Sequence, residues 1–196
     1  MEKQKAEAVI IAMKGHPGSG KTTLATAIAT AVRCPLLDKD DIRDATLSLS
    51  STTSASILNQ FSYDALWRMA STQLRLGLSV VIDSPLSRRG HLDEVLRVAA
   101  ATRHKVVIVE CRPSDEAEWR RRVEGRVGEG ESGGGWHKPG TWGDMEMLME
   151  EYGGCTEYEV GEVPKLVVDT TLHGGVHALL SSVLAFIHAH SSAHDS

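Results

Sequence analysis

The stretch from Ala8 to Val32 constrains this chain more than any other part of it. Six apolar residues, AVIIAM, run without a polar interruption and include β-branched types, the pattern of a strand buried on both faces. A glycine-rich turn, KGHPGSG, follows at once. Lys21 to Val32 is then rich in alanine and threonine with helical character. A doubly buried strand that feeds a tight turn and a helix opens a parallel sheet covered by helices on both sides.

The rest of the chain repeats this alternation. Strands are expected at Pro35–Leu37, Leu78–Ile82, Lys105–Cys111 and Leu166–Val168, and helices at Asp40–Leu47, Arg88–Thr102, Ser114–Arg126 and Val176–His188. A long helix begins at Ser56, where Ile57, Phe61, Ala65, Leu66, Met69, Ala70 and Leu74 recur at three- and four-residue spacing, and Gly77 can end it. Leu47–Ser56, LSLSSTTSAS, reads as a loop. The expected fold class is therefore α/β, a three-layer α/β/α sandwich on a five-stranded parallel sheet. With 196 residues the chain is expected to form a single domain.

One segment breaks the pattern. Gly125–Gly143 holds eight glycines in 19 residues, with Trp136, Pro139 and Trp142 among them. Glycine loses the most backbone entropy on ordering and offers no side chain to pack, so no regular element is expected there. Two tryptophans are unusual in a plain linker, and residues 120–143 are read as a mobile lid. Trp136 and Trp142 suit stacking on a substrate ring and packing on the core equally well. Residues 189–196 are expected to be a flexible tail.

Gly15-His16-Pro17-Gly18-Ser19-Gly20-Lys21-Thr22 satisfies G-x-x-x-x-G-K-[ST] between the strand and the helix. Glycines allow successive backbone N–H groups to turn inward around a phosphate, and the helix presents its positive end to the same anion. The lysine bridges the outer phosphates, and the threonine hydroxyl ligates Mg²⁺. Gly15, Pro17, Gly18, Ser19, Gly20, Lys21, Thr22 and Thr23 are thus the expected nucleotide-binding residues. The N-K-x-D signature that reads guanine is absent, which favours ATP.

Two further junctions carry carboxylates. Leu37-Asp38-Lys39-Asp40-Asp41-Ile42-Arg43 follows the second strand, and the carboxyl ends of neighbouring parallel strands face one crevice. There Asp40 can accept a proton from an attacking hydroxyl, and Arg43, on the same helical face, can hold an anionic group. The same acids also suit the positive end of a helix dipole, with no chemistry implied. Asp83 closes the hydrophobic run VVI and can hold Mg²⁺ or its water shell. Arg122 and Arg126, four residues apart beside the glycine-rich segment, suit the charge on a phosphoryl group in transfer, while Arg120 and Arg121 fit a solvated face.

These motifs together resemble the P-loop small-molecule kinases of the AAA-domain or zeta-toxin-like family, which includes the polynucleotide kinase domain, chloramphenicol phosphotransferase and gluconate kinase. GHPGSGKTTLA is similar to the family's phosphate loop. LDKDDIRDA resembles its D-D-x-R segment, which implies Asp40 as general base and Arg43 on substrate phosphate. VIDSPLSRRGHLDEV resembles the junction that would bring Asp83, Arg88 and Arg89 to the acceptor. RRVEGR is similar to the lid R-x-x-x-R and implies nucleotide and phosphate contacts for Arg122 and Arg126. LVVDTT resembles the last strand, whose following loop lies near the adenine. Asp83-Ser84-Pro85 departs from the family's usual D-x-T or D-x-N.

The resulting expectation is an ATP-dependent phosphotransferase acting on a hydroxyl of a small molecule such as a nucleoside, sugar or sugar nucleotide, with Lys21, Asp40, Arg122 and Arg126 as catalytic residues. Asp40, Arg43, Asp83 and Arg88 would face the acceptor, and Thr22 and Asp83 the Mg²⁺. A 5′-hydroxyl nucleic-acid kinase and an ATP-gated binding module without turnover are the alternatives. The balance of 21 basic against 26 acidic side chains, a net charge of −5, argues against a protein that coats nucleic acid. No apolar run reaches membrane-spanning length or makes a signal-peptide core, and the three cysteines lack CxxC spacing. A cytoplasmic protein without a membrane partner is expected.

Overall fold

Five strands form one all-parallel sheet in the order β2-β3-β1-β4-β5. They are β1 (Val9–Lys14), β2 (Leu36–Asp38), β3 (Val80–Asp83), β4 (Lys105–Cys111) and β5 (Lys165–Val168). Among the described residues the helices are α1 (Lys21–Val32), α2 (Lys39–Asp44), α3 (Ala55–Arg75), α4 (Arg89–Thr102), α5 (Glu116–Glu124), α6 (Trp142–Tyr152) and α7 (Gly175–Ser191). The computed structural model describes residues 7–125, 139–172 and 174–191.

Strand β1 is central, and every one of its residues is buried. The two-residue period of a strand sorts its side chains between the layers. Ile10 and Ala12 pack with Ile82, Ile108 and the inner faces of α3 and α4. Val9, Ile11 and Met13 point the other way, toward Leu24, Ile28, Val183 and Ile187 of α1 and α7. The chain leaves β1 with β3 on one side and β4 on the other, so the strand order reverses there and opens a crevice outside the carboxyl ends.

The α/β reading holds, and the remaining differences have local causes. The helix expected over Asp40–Leu47 starts one residue earlier and stops at Asp44, because the Asp38 side chain caps it by accepting from the Asp40 amide at 2.7 Å. Leu47–Leu49 of the expected loop forms a single 3₁₀ turn. Helix α7 runs three residues past His188, to Ser191, so the tail reading is corrected for residues 189–191 and lies outside the described residues for 192–196.

The largest correction is α6, which starts in the last two residues of the segment expected to lack regular structure and runs on to Tyr152. Thr141 and Asp144 form a reciprocal capping box, with Thr141 Oγ1 accepting from the Asp144 amide at 3.1 Å and Asp144 Oδ2 from the Thr141 amide at 3.0 Å. Trp142 and Met145 then bury one face of the helix against Val123 of α5. Residues 126–138, the body of the expected lid, lie outside the described residues. No helix among the described residues is long and apolar enough to cross a membrane.

Candidate nucleotide and acceptor site

The turn between β1 and α1 is built from conformations that side chains resist. Gly15, Gly18 and Gly20 have φ of +144°, +76° and +82°. A Cβ on Gly15 would stand 2.5 Å from the Cys111 carbonyl oxygen, and one on Gly18 2.7 Å from Val123 Cγ2. Glycine at these two positions lets the loop close between β4 and α5. The Ser19 amide bonds to the His16 carbonyl at 3.2 Å, which closes the turn, and Lys21 Nζ donates to the same carbonyl at 3.3 Å. Thr22 and Thr23, in the first turn of α1, are exposed.

Three contacts brace the loop from outside. The Gly15 amide bonds to the Pro85 carbonyl after β3 at 3.2 Å. Trp119 of α5 donates its indole N–H to the Pro17 carbonyl at 2.9 Å. Thr170, after β5, donates its hydroxyl to the Ser19 carbonyl at 2.7 Å. Trp119 also meets Trp142 edge-on at 5.3 Å, which joins α6 to the same support. His16 sits between Trp119 and Tyr152, and burial, then the charges of Lys14 and Lys21, lower its pKa and favour the neutral imidazole.

The carboxylates gather at the adjacent strand ends. Asp38 and Asp83 are register partners at the last positions of β2 and β3. Asp83 is buried, and its Oδ2 has no hydrogen-bond partner among the described residues, as is true of Ser84 Oγ beside it. Burial and then the nearby Asp83 carboxylate push Asp38 up to about 6. Asp40, at the start of α2, takes an ion pair from Lys39 Nζ at 3.0 Å and keeps 24% of its side chain exposed. Lys39 itself is buried against the Tyr63 ring.

The expected residues fall into two groups. The loop residues, Asp40 and Asp83 lie at or just after the carboxyl ends of parallel strands, and Arg122 reaches the loop from α5. Arg122 Nε pairs with Glu118 at 2.8 Å, its Nη2 donates to the Thr170 carbonyl at 3.0 Å, and its Nη1 lies 3.6 Å from where a Cβ on Gly20 would stand. Arg43 is placed differently: it is 2% exposed, with a guanidinium N–H donating to the Thr46 hydroxyl at 2.9 Å, so it braces α2 from within. Arg88 is exposed at the start of α4, beside His91, which burial and then the charges of Arg88 and Lys39 lower to about 4. Arg126 and Trp136 lie outside the described residues. Trp142 is buried against Val123 and Met145 and packs as core.

Two contributors were not singled out from sequence. Trp119 carries no motif, and nothing local marks an indole that bonds a carbonyl 102 residues earlier. Asp38 could have been found, since it closes β2 just as Asp83 closes β3.

The sequence profile of the AAA domain matches residues 10–134, more than half of the chain. This chain belongs to the AAA-domain family. The AAA-domain fold is shared with several solved structures. A candidate kinase from Chloroflexus aurantiacus J-10-fl has 22% identity over 96% of this chain and 100% of that one, at a TM-score of 0.73. A sugar kinase from Janibacter sp. HTCC2649 follows at 17% identity, 96% and 99% coverage and a TM-score of 0.61. The APS kinase of Mycobacterium tuberculosis, solved with AMPPNP and APS, has 15% identity, 92% and 98% coverage and a TM-score of 0.60. None of the curated proteins compared with the chain matches it.

The residues present fit a nucleotide and its metal. The left-handed glycines form a cradle that side chains would fill, and the buried Asp83 Oδ2 is a polar atom in need of a partner. Thr22 and Asp83 are the oxygen donors of the type that Mg²⁺ takes.

Proposed function

We propose that this AAA-domain protein is an ATP-dependent phosphotransferase that moves the γ-phosphate of ATP to a hydroxyl of a small molecule. The observation that carries this reading is that the 15–22 loop and the carboxylates of Asp38, Asp40 and Asp83 all stand at the carboxyl edge of one parallel sheet. A phosphate cradle alone would serve binding. Carboxylates across a shared crevice add a group able to take a proton from an attacking alcohol.

In this mechanism the loop amides and Lys21 grip the β and γ phosphates, and Arg122 approaches them from α5. Mg²⁺, held by Thr22 and Asp83, would neutralise charge on the phosphate oxygens when bound. Asp40 takes the proton of the acceptor hydroxyl as the new O–P bond forms and the bond from the γ-phosphorus to the bridging oxygen breaks, with ADP as leaving group. Lys39 orients the Asp40 carboxylate through their ion pair, and Asp38 sets the start of α2 from which Asp40 projects. Catalysis here is positioning and electrostatics, since the protein forms no covalent bond. The kinase descriptions of the Chloroflexus, Janibacter and Mycobacterium structures support the same reaction class.

Asp40→Asn tests the assignment. Its turnover is expected to fall on the order of 10²–10⁴-fold with ATP affinity retained, measured as γ-phosphate transfer and by nucleotide titration. Lys21→Ala is expected to lose both. Full turnover in purified Asp40→Asn would remove the base.

A further inference from the structure

Helix α3 is apolar on two faces, and the core uses one of them. Tyr63, Leu66, Ala70 and Leu74 turn inward and are buried. Ile57, Phe61 and Met69 stand on the opposite side, with Leu76 at the C-cap, and these four are between 44% and 67% exposed. Ala65, half-buried, lies between them. Steps of four residues from Ile57 through Phe61 and Ala65 to Met69, then of seven to Leu76, keep them in one stripe along the helix. The apolar spacing that marks this segment as a helix therefore belongs only in part to the core. Helix α4, packed beside α3, shows the ordinary outer face: it carries the ion pairs Arg89–Asp93 and Arg97–Glu94. An apolar stripe in the same setting is favoured to be covered.

The charges beside the stripe select its cover. Asp64 and Arg68 are exposed, one turn apart, and do not pair with each other. Asp64 accepts from Gln60 Nε2 at 2.9 Å, and the Arg68 guanidinium has no partner among the described residues. The stripe is also close to a palindrome. Reversed about the midpoint of Leu66 and Trp67, Ile57 falls opposite Leu76, Phe61 opposite Thr72, and Arg68 opposite Ala65, the small residue next to Asp64. A second α3 laid antiparallel thus meets apolar ends with apolar ends and brings each Arg68 beside the Asp64 of the other copy. A parallel arrangement sets Asp64 against Asp64 and Arg68 against Arg68. The 21 residues of α3 extend about 31 Å. The four large side chains leave on the order of 500 Å² of surface, well over half of the roughly 800 Å² that each side of a stable complex covers.

We propose that α3 is the interface of a two-fold symmetric dimer of this chain, in which the Ile57–Leu76 stripes pack antiparallel and Asp64 and Arg68 pair reciprocally across it.

Sedimentation equilibrium of the full chain over about 1–100 µM tests this, with a Kd of about 10 µM or tighter expected. A chain that stays monomeric at the top of that range overturns the proposal. Phe61→Glu places a charge in the stripe at an exposed position and is expected to weaken association at least about tenfold. Unchanged association in that variant overturns the choice of face. Asp64→Arg and Arg68→Asp are each expected to weaken self-association at least about threefold, because each brings like charges together across the two-fold axis. An equimolar mixture of these two variants restores opposite charges at every cross-pair, and it is expected to associate more tightly than either alone. Single variants as tight as wild type, or a mixture no tighter than its components, overturn the antiparallel pairing, and this holds whether or not Phe61→Glu folds. A monomer that instead sediments with phosphatidylcholine–phosphatidylserine vesicles would give the stripe to a lipid surface and overturn the assignment to a second copy.

Discussion

Asp38 shows how a single side chain ties fold to chemistry. Its carboxyl is held near 6 rather than 3.8, first by burial and then by Asp83, so the folded protein keeps this proton more tightly than the unfolded chain does. The stabilising contribution is complete below about pH 4 and is lost as the pH rises through about 6. Asp38→Asn removes that dependence and keeps a capping side chain at the start of α2. Urea midpoints of the two proteins are expected to diverge between pH 4 and 6, with wild type losing about 2 kcal/mol relative to the variant. Parallel curves would place Asp38 in a solvated setting. Gly18→Ala is a second test at this scale. Its φ of +76° and the 2.7 Å approach to Val123 Cγ2 cannot both be absorbed, so weaker ATP binding is expected in nucleotide titrations.

Helices α5 and α6 act together as a support for the phosphate loop, and the contact between them is a small core of its own. Trp119→Phe deletes the bond to the Pro17 carbonyl while keeping most of the ring. It is expected to cost about 1 kcal/mol and to raise the KM for ATP more than it lowers kcat. Trp142→Ala opens the core beneath α6 and is expected to cost about 3–5 kcal/mol, read as a lowered melting temperature. Elements of this kind also show what the sequence could and could not reveal. Strands β1 and β4 are uninterrupted apolar runs, and α1 follows a motif whose order of residue types is dictated by phosphate, so all three were legible. Helix α6 was hidden by the glycines before it, although Thr141-x-x-Asp144 and the apolar spacing of Trp142, Met145, Leu148 and Met149 were there to be read. The burial of Arg43 was not visible in the sequence, because it is decided by how α2 packs on α3, which no local pattern encodes. The buried ion pair between Lys14 of β1 and Glu110 of β4, at 3.0 Å, was invisible for a related reason, since it depends on which strands become neighbours.

Across the whole molecule, the sheet and the nucleotide site are coupled through strand ends. The loop touches the segments after β3 and β5 and the helix after β4, so a ligand that grips it stabilises most of the fold. ATP at one hundred times its Kd is expected to add about 2.7 kcal/mol, a rise of roughly 5–10 °C in Tm for a chain of this size. Calorimetry with and without nucleotide reads this directly, and Lys21→Ala should abolish the rise. The bond from Thr170 to Ser19 spans 151 residues and has a consequence for biosynthesis. A ribosome adding about 5–20 residues each second exposes the first half of the anion cradle long before its far brace is made. Nascent chains arrested before β5 should therefore fail to retain ATP, and the protein gains its ligand only once Thr170 has been added and β5 has joined the sheet.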